Sequence, residues 1–465
     1  MKKNVIVYGK REGIQLQAVR HLSQILLDAN LEYPVCCRWD RLKEEADCRY
    51  LYIGTAQDNP YVSKLSDRVL SQPEEYYIKV EDDMVLIQGY DDGGVLYGCI
   101  DFYQKYVMKY CQNHNHDHYF SNIFEENLPD FATASAPALA QRGLWTWGHV
   151  IYDYQGYIDN MVRAKMNTLI IWNDFVPVNA KEMIAYAHAS NVKIYWGYPW
   201  GWDTKRVSID MQHLKAYTEE ILANYEENYA DLGGDGIYFQ SFTETNEETR
   251  DGLIIAKTVT EFVNDTAGKL YEKYPQLELL FGLHATSVKE KLEYLVQVDP
   301  RIRIVWEDCG AFPWAYLPSK IDHFEEACEF TEKILSLRGE KESFGAVLKG
   351  FTCLDWMSFE HQRGSFYIGT ASEKMLANRL ERKSQIWHMV QAYWLRNADK
   401  ASEMIRLIQE QNCGDALVTA LVEDAMFEKK LYFPVALFGA MLWEREYDLK
   451  DLICDVAQSS FVEFA

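Results

Sequence analysis

Acidic residues directly follow short apolar runs at several points of the sequence, and this pattern suits chemistry on a glycosidic bond. The clearest run covers residues 236–242, is rich in β-branched and aromatic side chains, and ends just before Glu244. A second run over 302–306 ends at Glu307 and Asp308. Such runs predict buried strands, whose following residues meet at one edge of a parallel sheet. Two carboxyl groups that converge there could protonate a leaving oxygen and stabilise the positive charge on a sugar.

The candidate catalytic residues are three carboxylates. We predict Glu244 as the proton donor, because the fourth strand of the pattern would place it centrally. For its partner we favour Asp308, with Glu307 next, since adjacent strand residues face opposite ways and only one is expected to point into the site. Asp174 and Asp355 are reserve candidates. The structural alternatives are an exposed loop position for Glu244 and a helix N-cap or salt bridge for the other pair.

Other side chains at the predicted strand ends could bind a sugar. Indole rings can stack on the apolar face of a pyranose, and polar side chains can hydrogen bond to its hydroxyl groups. The candidates for substrate binding are Arg142, Trp145, Trp172, Asn173, Trp196, His284, Asp355 and Trp356. A single aromatic residue is more often part of a core, and a single histidine is more often hydrogen-bonded there. Arg142 could instead hold the floor of the fold through an ion pair.

The spacing of histidine, cysteine and acidic residues predicts no metal site, and no cofactor is predicted. His114, His116 and His118 are close in sequence but lie in a polar tract that is expected to be a loop. The substrate alone is therefore expected to occupy the site.

The elements that must position these residues alternate between strand and helix. We predict an α/β fold with a small N-terminal α/β domain over 1–125, a (β/α)₈-like barrel over 138–371 and a helical C-terminal region over 372–465. The predicted barrel strands cover 141–147, 167–172, 192–198, 236–242, 277–283, 302–306 and 346–351. The eighth strand is not evident: either it is short and lies between Tyr367 and Thr370, or the barrel is incomplete. The stretch 415–431 is predicted to be an amphipathic helix.

Within the first domain, residues 76–80 and 84–89 flank an acidic cluster that favours a tight turn, which predicts a hairpin. A glycine-containing run from Gly93 is predicted to open the next helix.

Composition excludes several classes of protein. The chain has 465 residues, of which 48% are hydrophobic and 25% charged, as expected for a globular protein of two or three domains. The formal net charge of -23 argues against nucleic acid as a partner, because phosphate binding needs basic patches. No signal segment or membrane span is evident, and the ten scattered cysteines fit reduced thiols, so a cytoplasmic protein without a membrane partner is expected. The oligomeric state is not predicted, although a dimer is possible.

Arg142-Gly143, Glu244 and the segment from residue 76 to residue 98 resemble glycoside hydrolases of families 20, 67 and 84, over roughly residues 1–360. In these families a small α/β domain precedes a catalytic TIM barrel. The resemblance to family 20 implies that Arg142 contacts a sugar hydroxyl. Family 20 enzymes carry Asp-Glu after strand four, where the aspartate orients the acetamido nucleophile, whereas here Thr243 precedes Glu244. The similarity to family 67 α-glucuronidases instead implies a strand-four acid and a base from a later strand.

These features predict an exo-acting glycoside hydrolase of intracellular oligosaccharides, with a β-N-acetylhexosaminidase-like or α-glucuronidase-like substrate. A non-catalytic carbohydrate-binding protein on a barrel scaffold is the alternative, and a lyase or isomerase that uses the same barrel mouth is a third hypothesis.

Overall fold

The computed structural model describes residues 2–30, 33–107, 128–147, 151–201, 210–284, 287–307, 323–338, 344–351, 364–369, 372–411, 415–422 and 427–465. The chain forms two compact units. The first contains residues 1–137, 188–191 and 450–463, and the second contains residues 138–187, 192–449 and 464–465.

The first unit is built on a six-stranded sheet. In chain order its strands are β1 Lys3–Tyr8, β2 Val35–Arg38, β3 Cys48–Thr55, β4 Tyr76–Glu81, β5 Met84–Gly89 and β6 Phe131–Ser135. Their order in the sheet is β2-β1-β3-β5-β4-β6, with β2, β1, β3 and β5 parallel and β4 antiparallel to both of its neighbours. The helices of this part of the chain are α1 Gly13–Asn30, α2 Pro60–Leu65 and α3 Asp92–Asp101, with a 3₁₀ turn at Trp39–Arg41 and a π-helix at Phe102–Val107.

The β4–β5 hairpin confirms the turn that the sequence predicted. Asp82 and Asp83 both have positive φ angles, 49° and 66°, as a two-residue turn requires if it is to match the twist of the flanking strands. Asp83 then uses its carboxylate to accept hydrogen bonds from Arg49 at 2.6 Å and Lys2 at 2.8 Å. The turn is therefore fixed by both backbone conformation and charge.

The second unit contains a closed barrel of eight parallel strands. These are β7 Gln141–Trp147, β8 Thr168–Trp172, β9 Lys193–Gly197, β10 Gly236–Gln240, β11 Glu278–Leu283, β12 Ile302–Trp306, β13 Phe344–Phe351 and β14 Ala416–Val422. Each strand pairs in parallel with the next in chain order, and β14 pairs with β7 to close the ring. Two-residue strands occur at Thr249–Arg250, Leu253–Ile254, Leu431–Tyr432 and Val462–Glu463.

Helices connect most of the barrel strands and form the C-terminal part of the chain. They are α4 Tyr154–Arg163, α5 Ala180–Ala189, α6 Leu214–Asn228, α7 Ile255–Lys273, α8 Leu292–Leu295, α9 Phe324–Ser336, α10 Glu373–Gln411, α11 Phe433–Trp443 and α12 Leu449–Ala457. Helix α10 contains a kink at Asn397, whose φ of -121° is not helical.

The closing strand corrects two sequence-based predictions. It lies at Ala416–Val422, not between Tyr367 and Thr370, and it occupies part of the stretch predicted as a helix over 415–431. All seven of its residues are buried. A short continuous apolar run cannot be told from a buried helical segment by periodicity alone, so this run was compatible with the amphipathic helix predicted over 415–431. The barrel therefore extends into the region beyond residue 371 that was assigned to C-terminal helices.

Side chains fill the interior of the barrel, as is usual for this architecture. The buried cluster consists of Trp145, Ile170, Trp172, Tyr195, Tyr238, Leu280, Val305, Val347, Leu417 and Leu421. Every one of the eight strands contributes to it, so the barrel is a packed core rather than a pore. A ligand can be held only at the strand ends.

Candidate active site

The segment after β10 presents Glu244 at the carboxyl end of the barrel. Thr243 is fully buried, and its carbonyl accepts a hydrogen bond of 2.6 Å from the Ser287 hydroxyl. The next residue turns outward, because 65% of the Glu244 side chain is exposed. The backbone is thus anchored one residue before a carboxylate that solvent or a ligand can reach.

Glu307, directly after β12, lies on the interior side of the same end. Its side chain is fully buried. The Tyr238 hydroxyl donates to its Oε1 at 2.5 Å, and the Gln240 amide donates to Oε1 and Oε2 at 2.6 and 2.7 Å. A buried carboxylate is tolerated only when it is paired or hydrogen-bonded, and these donors meet that need.

A glycine on the intervening strand provides the space for this carboxylate. A Cβ atom at Gly282 would lie 2.1 Å from Glu307 Oε1 and 2.6 Å from the Tyr238 hydroxyl oxygen. Any larger residue at position 282 would have to displace the hydrogen-bonded pair. The position of Glu307 therefore depends on the absence of a side chain at residue 282.

His284, which follows β11, contacts both carboxylates. Its Nε2 atom lies 3.0 Å from Glu307 Oε2 and 3.8 Å from Glu244 Oε2. The two carboxylate oxygens are consequently no farther apart than the sum of these two distances. Strands β10, β11 and β12 are neighbours in the barrel, which explains how residues 244, 284 and 307 meet.

Arg142 lies at the other end of the barrel. It is the second residue of β7 and is fully buried. Its guanidinium donates to the backbone oxygens of Lys165 at 2.8 Å and Leu139 at 2.6 Å, and it stacks over the Trp443 ring at 5.1 Å. The structure thus gives Arg142 a place in the barrel floor, which was one of the two alternatives from the sequence, and corrects the expected contact with a sugar hydroxyl.

The predicted aromatic rim is also corrected. Trp145 and Trp172 belong to the barrel core and are only 1% and 6% exposed. Trp196 follows the inward-facing Tyr195, so it points out of the barrel and packs on Tyr229, with ring centroids 5.7 Å apart. These indoles stabilise the barrel instead of forming an exposed sugar platform.

The remaining candidates divide by position. Asn173 is 7% exposed and directly follows β8, while its neighbour Asp174 is exposed. Asp308, Asp355 and Trp356, together with His114, His116 and His118, lie outside the described residues. Among the described residues, no group of three or more histidine, cysteine and acidic side chains could hold a metal ion.

Sequence reasoning missed the residues that hold Glu307. Tyr238, Gln240 and Gly282 lie inside apolar runs, and such runs predict strands without indicating a role in the site. Alternation along the strand offers a signal, because Tyr238 and Gln240 are two residues apart and must share the inward face. A glutamine at an inward position of a strand also indicates a buried hydrogen-bond partner.

Exposed apolar side chains were missed too. Phe175 and Val178 follow β8 and are 42% and 55% exposed, and Tyr367, in a segment that follows β13, is 53% exposed. The two segments are joined, since the Val178 amide donates to the Phe366 carbonyl at 2.8 Å and Asn179 exchanges two hydrogen bonds with the Ile368 backbone. The segment with Phe175 and Val178 and the segment with Tyr367 are therefore linked by hydrogen bonds on the side of the barrel where the strands end.

No protein-family model matches the chain, and no curated protein matches it in sequence. Among the described helices, none is long and apolar enough to cross a bilayer.

The fold is shared with solved glycoside hydrolase structures. A β-N-acetylhexosaminidase from Bacteroides fragilis NCTC 9343 superposes with a TM-score of 0.59 at 12% identity, covering 100% of this chain and 93% of that one. A GH138 enzyme targeting pectin rhamnogalacturonan II superposes with a TM-score of 0.55 at 11% identity, covering 97% of this chain and 52% of that one. The structure of CpGH84D superposes with a TM-score of 0.53 at 14% identity, covering 97% of this chain and 68% of that one. This chain therefore spans about half the length of the GH138 enzyme, and it has the α/β domain and TIM barrel that its sequence predicted.

Proposed function

We propose that this protein is a glycoside hydrolase. The observation that carries the proposal is the meeting of an exposed and a buried carboxylate, Glu244 and Glu307, on one imidazole nitrogen at the carboxyl end of a closed parallel barrel. Barrel enzymes carry their chemistry at this end, and glycosidic cleavage uses two carboxyl groups. The shared fold with glycoside hydrolases supports the same reaction class.

In the proposed mechanism, Glu244 is the general acid. Its exposed carboxyl group can reach a glycosidic oxygen and transfer its proton as the bond to the anomeric carbon breaks. Glu307 is fully buried and its carboxylate already accepts hydrogen bonds from Tyr238 and Gln240, so we assign it an electrostatic role. Its negative charge, held in a water-poor interior, stabilises positive charge on the sugar and orients His284. Water then adds to the anomeric carbon and loses a proton to a carboxylate.

Asp308, the partner favoured from the sequence, is the proposed carboxylate for the face of the sugar opposite Glu244. Of the other candidates for substrate contact, His284 is proposed to bind a ring hydroxyl, and Asn173, Asp355 and Trp356 are proposed to line the entrance. Phe175 and Tyr367 supply the apolar surface on which a pyranose can stack.

We further propose an exo-acting enzyme of oligosaccharides with a β-N-acetylhexosaminide or an α-glucuronide at the cleaved end. A hexosaminidase that the match covers over 93% of its length shares the fold, which supports the first of these sugars. Incubation with aryl glycosides and with reduced oligosaccharides is expected to release single sugars from one end. Products of internal cleavage would contradict exo-action. A cytoplasmic location remains a prediction from the sequence, which cell fractionation would test.

The proton-donor assignment is tested with Glu244→Gln. Turnover of an aryl glycoside with a poor leaving group is expected to fall about 10³-fold or more, because the amide cannot donate the required proton. The matched control is Glu247→Gln, an exposed carboxylate three residues away that pairs with Arg250 at 2.9 Å. The control should retain full turnover. Equal turnover in both variants would remove Glu244 from the mechanism.

The roles of the two possible partners are separated by Glu307→Gln and Asp308→Asn. The first is expected to lower kcat about 10²-fold with little change in KM, since its effect acts through charge. Asp308→Asn is expected to lower kcat further, because the proposed role of Asp308 places its carboxylate opposite the anomeric carbon. Sugar binding by calorimetry without turnover of any glycoside would instead support the non-catalytic alternative.

A further inference from the structure

The N-terminal unit contains a cavity of about 600 Å³, within the usual range for small-molecule sites. It lies where β3 and β5 end, and its wall includes Gln57, Ser66, Arg68, Gln88 and Tyr90. All of these residues belong to the first unit, and none of them is a residue of the candidate active site. Ligands of open α/β sheets bind outside the carboxyl ends of parallel strands.

The neighbouring crevice between β1 and β3 is filled by the protein itself. The Gln15 side chain donates to Asp92 at 2.8 Å and also to Asp58, and Lys10 lies 3.4 Å from Asp92. Gln15 is fully buried. The open space at this edge of the sheet is therefore one strand further along, at β3 and β5.

Gln88 is the residue that points to a ligand. It is 5% exposed and lines the cavity. Its Oε1 accepts a hydrogen bond from the Ser66 hydroxyl, but no described residue accepts one from its Nε2. Gln88 Nε2 is not among the buried side-chain atoms that lack a partner, so it is open to solvent or to a ligand that occupies the cavity. Exchanging the two amide atoms would present an acceptor there instead, so one polar amide atom is available to a ligand in either orientation.

The rest of the wall defines the chemistry of that partner. Tyr90 is 44% exposed and offers an aromatic face, while Leu70 forms a buried apolar part of the wall. Gln57 and Arg68 add an amide and a guanidinium. Asp67 already accepts hydrogen bonds from Tyr77 at 2.8 Å and Lys79 at 3.3 Å. Planar amides and a guanidinium bind neighbouring hydroxyl groups, and an aromatic ring stacks on a pyranose.

We propose that this cavity is a second, non-catalytic binding site for a neutral saccharide unit. The proposal does not depend on the activity of the barrel. A phosphate-bearing ligand fits less well, because the single guanidinium of the wall lies 3.8 Å from the Glu75 carboxylate and the wall also contains Asp67.

The test is calorimetric titration of the full-length Glu244→Gln protein with glucose, galactose and N-acetylglucosamine. The substitution Gln88→Met keeps the side-chain length but removes the amide. Introduced into the Glu244→Gln protein, it is expected to weaken the affinity of one saccharide site by tenfold or more. Tyr90→Ala, a change at the surface, should have the same effect. Tyr33→Ala, which removes a 71% exposed ring outside the cavity, is the control and should bind normally.

In the protein that retains Glu244, the Gln88→Met and Tyr90→Ala variants should keep their turnover of aryl glycosides within about twofold of the parent. Unchanged saccharide affinity in both variants would overturn the proposal, as would binding of inorganic phosphate in preference to the sugars. If Gln88→Met fails to fold, Tyr90→Ala alone decides. Loss of turnover in Glu244→Gln is read separately, so failure of this site and failure of the barrel mechanism are distinguishable.

Discussion

The two ends of the barrel use charged side chains in opposite ways. At the amino ends of the strands, Arg142 donates to backbone oxygens, and Glu278 binds Lys193 at 2.6 Å and the Tyr195 hydroxyl at 2.5 Å. At the carboxyl ends, Glu307 is held by neutral donors and by a histidine that also contacts the exposed Glu244. The floor is closed by interactions within the protein, whereas the mouth leaves a carboxylate available to a ligand.

Tyr195 illustrates the structural role of the floor. Burial, together with the Glu278 carboxylate, raises the pKa of Tyr195 well above its usual value. The phenol therefore stays protonated, and remains a hydrogen-bond donor, well above neutral pH. A fixed protonation state is what a stabilising contact requires, while an acid catalyst must exchange its proton.

The largest effect is expected at the floor, for Arg142→Met. The variant leaves the buried carbonyls of Lys165 and Leu139 without their donor, which should reduce the free energy of unfolding by about 3–5 kcal/mol. Denaturant unfolding measures this loss, and the folded fraction should keep its KM. Arg142→Lys, which keeps the charge, should recover part of the stability. Normal stability with a raised KM would mean that Arg142 binds substrate after all.

A smaller loss of stability, accompanied by a loss of activity, is expected at the mouth for Gly282→Ala. The new methyl group would overlap Glu307 Oε1 and the Tyr238 hydroxyl, so kcat should fall about 10²-fold while stability decreases by about 1–3 kcal/mol. The matched control is Gly268→Ala in α7, where a Cβ meets no atom within 4 Å. Helix propensity predicts that the control gains about 0.5–1 kcal/mol. Equal kinetics in the two variants would show that the position of Glu307 does not matter for activity.

The smallest effect is expected at Asp299 in the barrel floor, and it is a change in how stability depends on pH. Hydrogen bonds from Arg301, at 2.6 and 3.0 Å, are the main reason that the pKa of Asp299 lies below its usual value, against an opposing effect of burial. A lowered pKa in the folded state contributes stability above the ordinary aspartate pKa of about 3.9, and that contribution is lost as the pH falls through the folded value. Asp299→Asn should therefore cost about 0.5–1 kcal/mol at neutral pH. Its unfolding free energy should converge with that of the parent in acid; a constant difference would contradict the ion-pair explanation.

Much of the fold was predictable because burial and periodicity leave local marks. Seven of the barrel strands, the β4–β5 hairpin and the helix that contains Gly93 all coincide with apolar runs or turn residues in the sequence. The eighth strand was not predictable in this way, because Ala416–Val422 is uniformly buried and shows neither a twofold nor a helical period. Its identity as a strand depends on pairing with β13 and β7, which are distant in sequence.

The sequence by itself determined which residue types stand after the strands, and so it proposed Glu244, Glu307 and His284 as members of one site. Only the tertiary structure decided the direction of each side chain. It buried Trp145 and Trp172 in the core, turned Trp196 outward and placed Arg142 in the floor. The physical reason is that a side chain's partners across a closed barrel are set by strand register and by the space that residues such as Gly282 leave open.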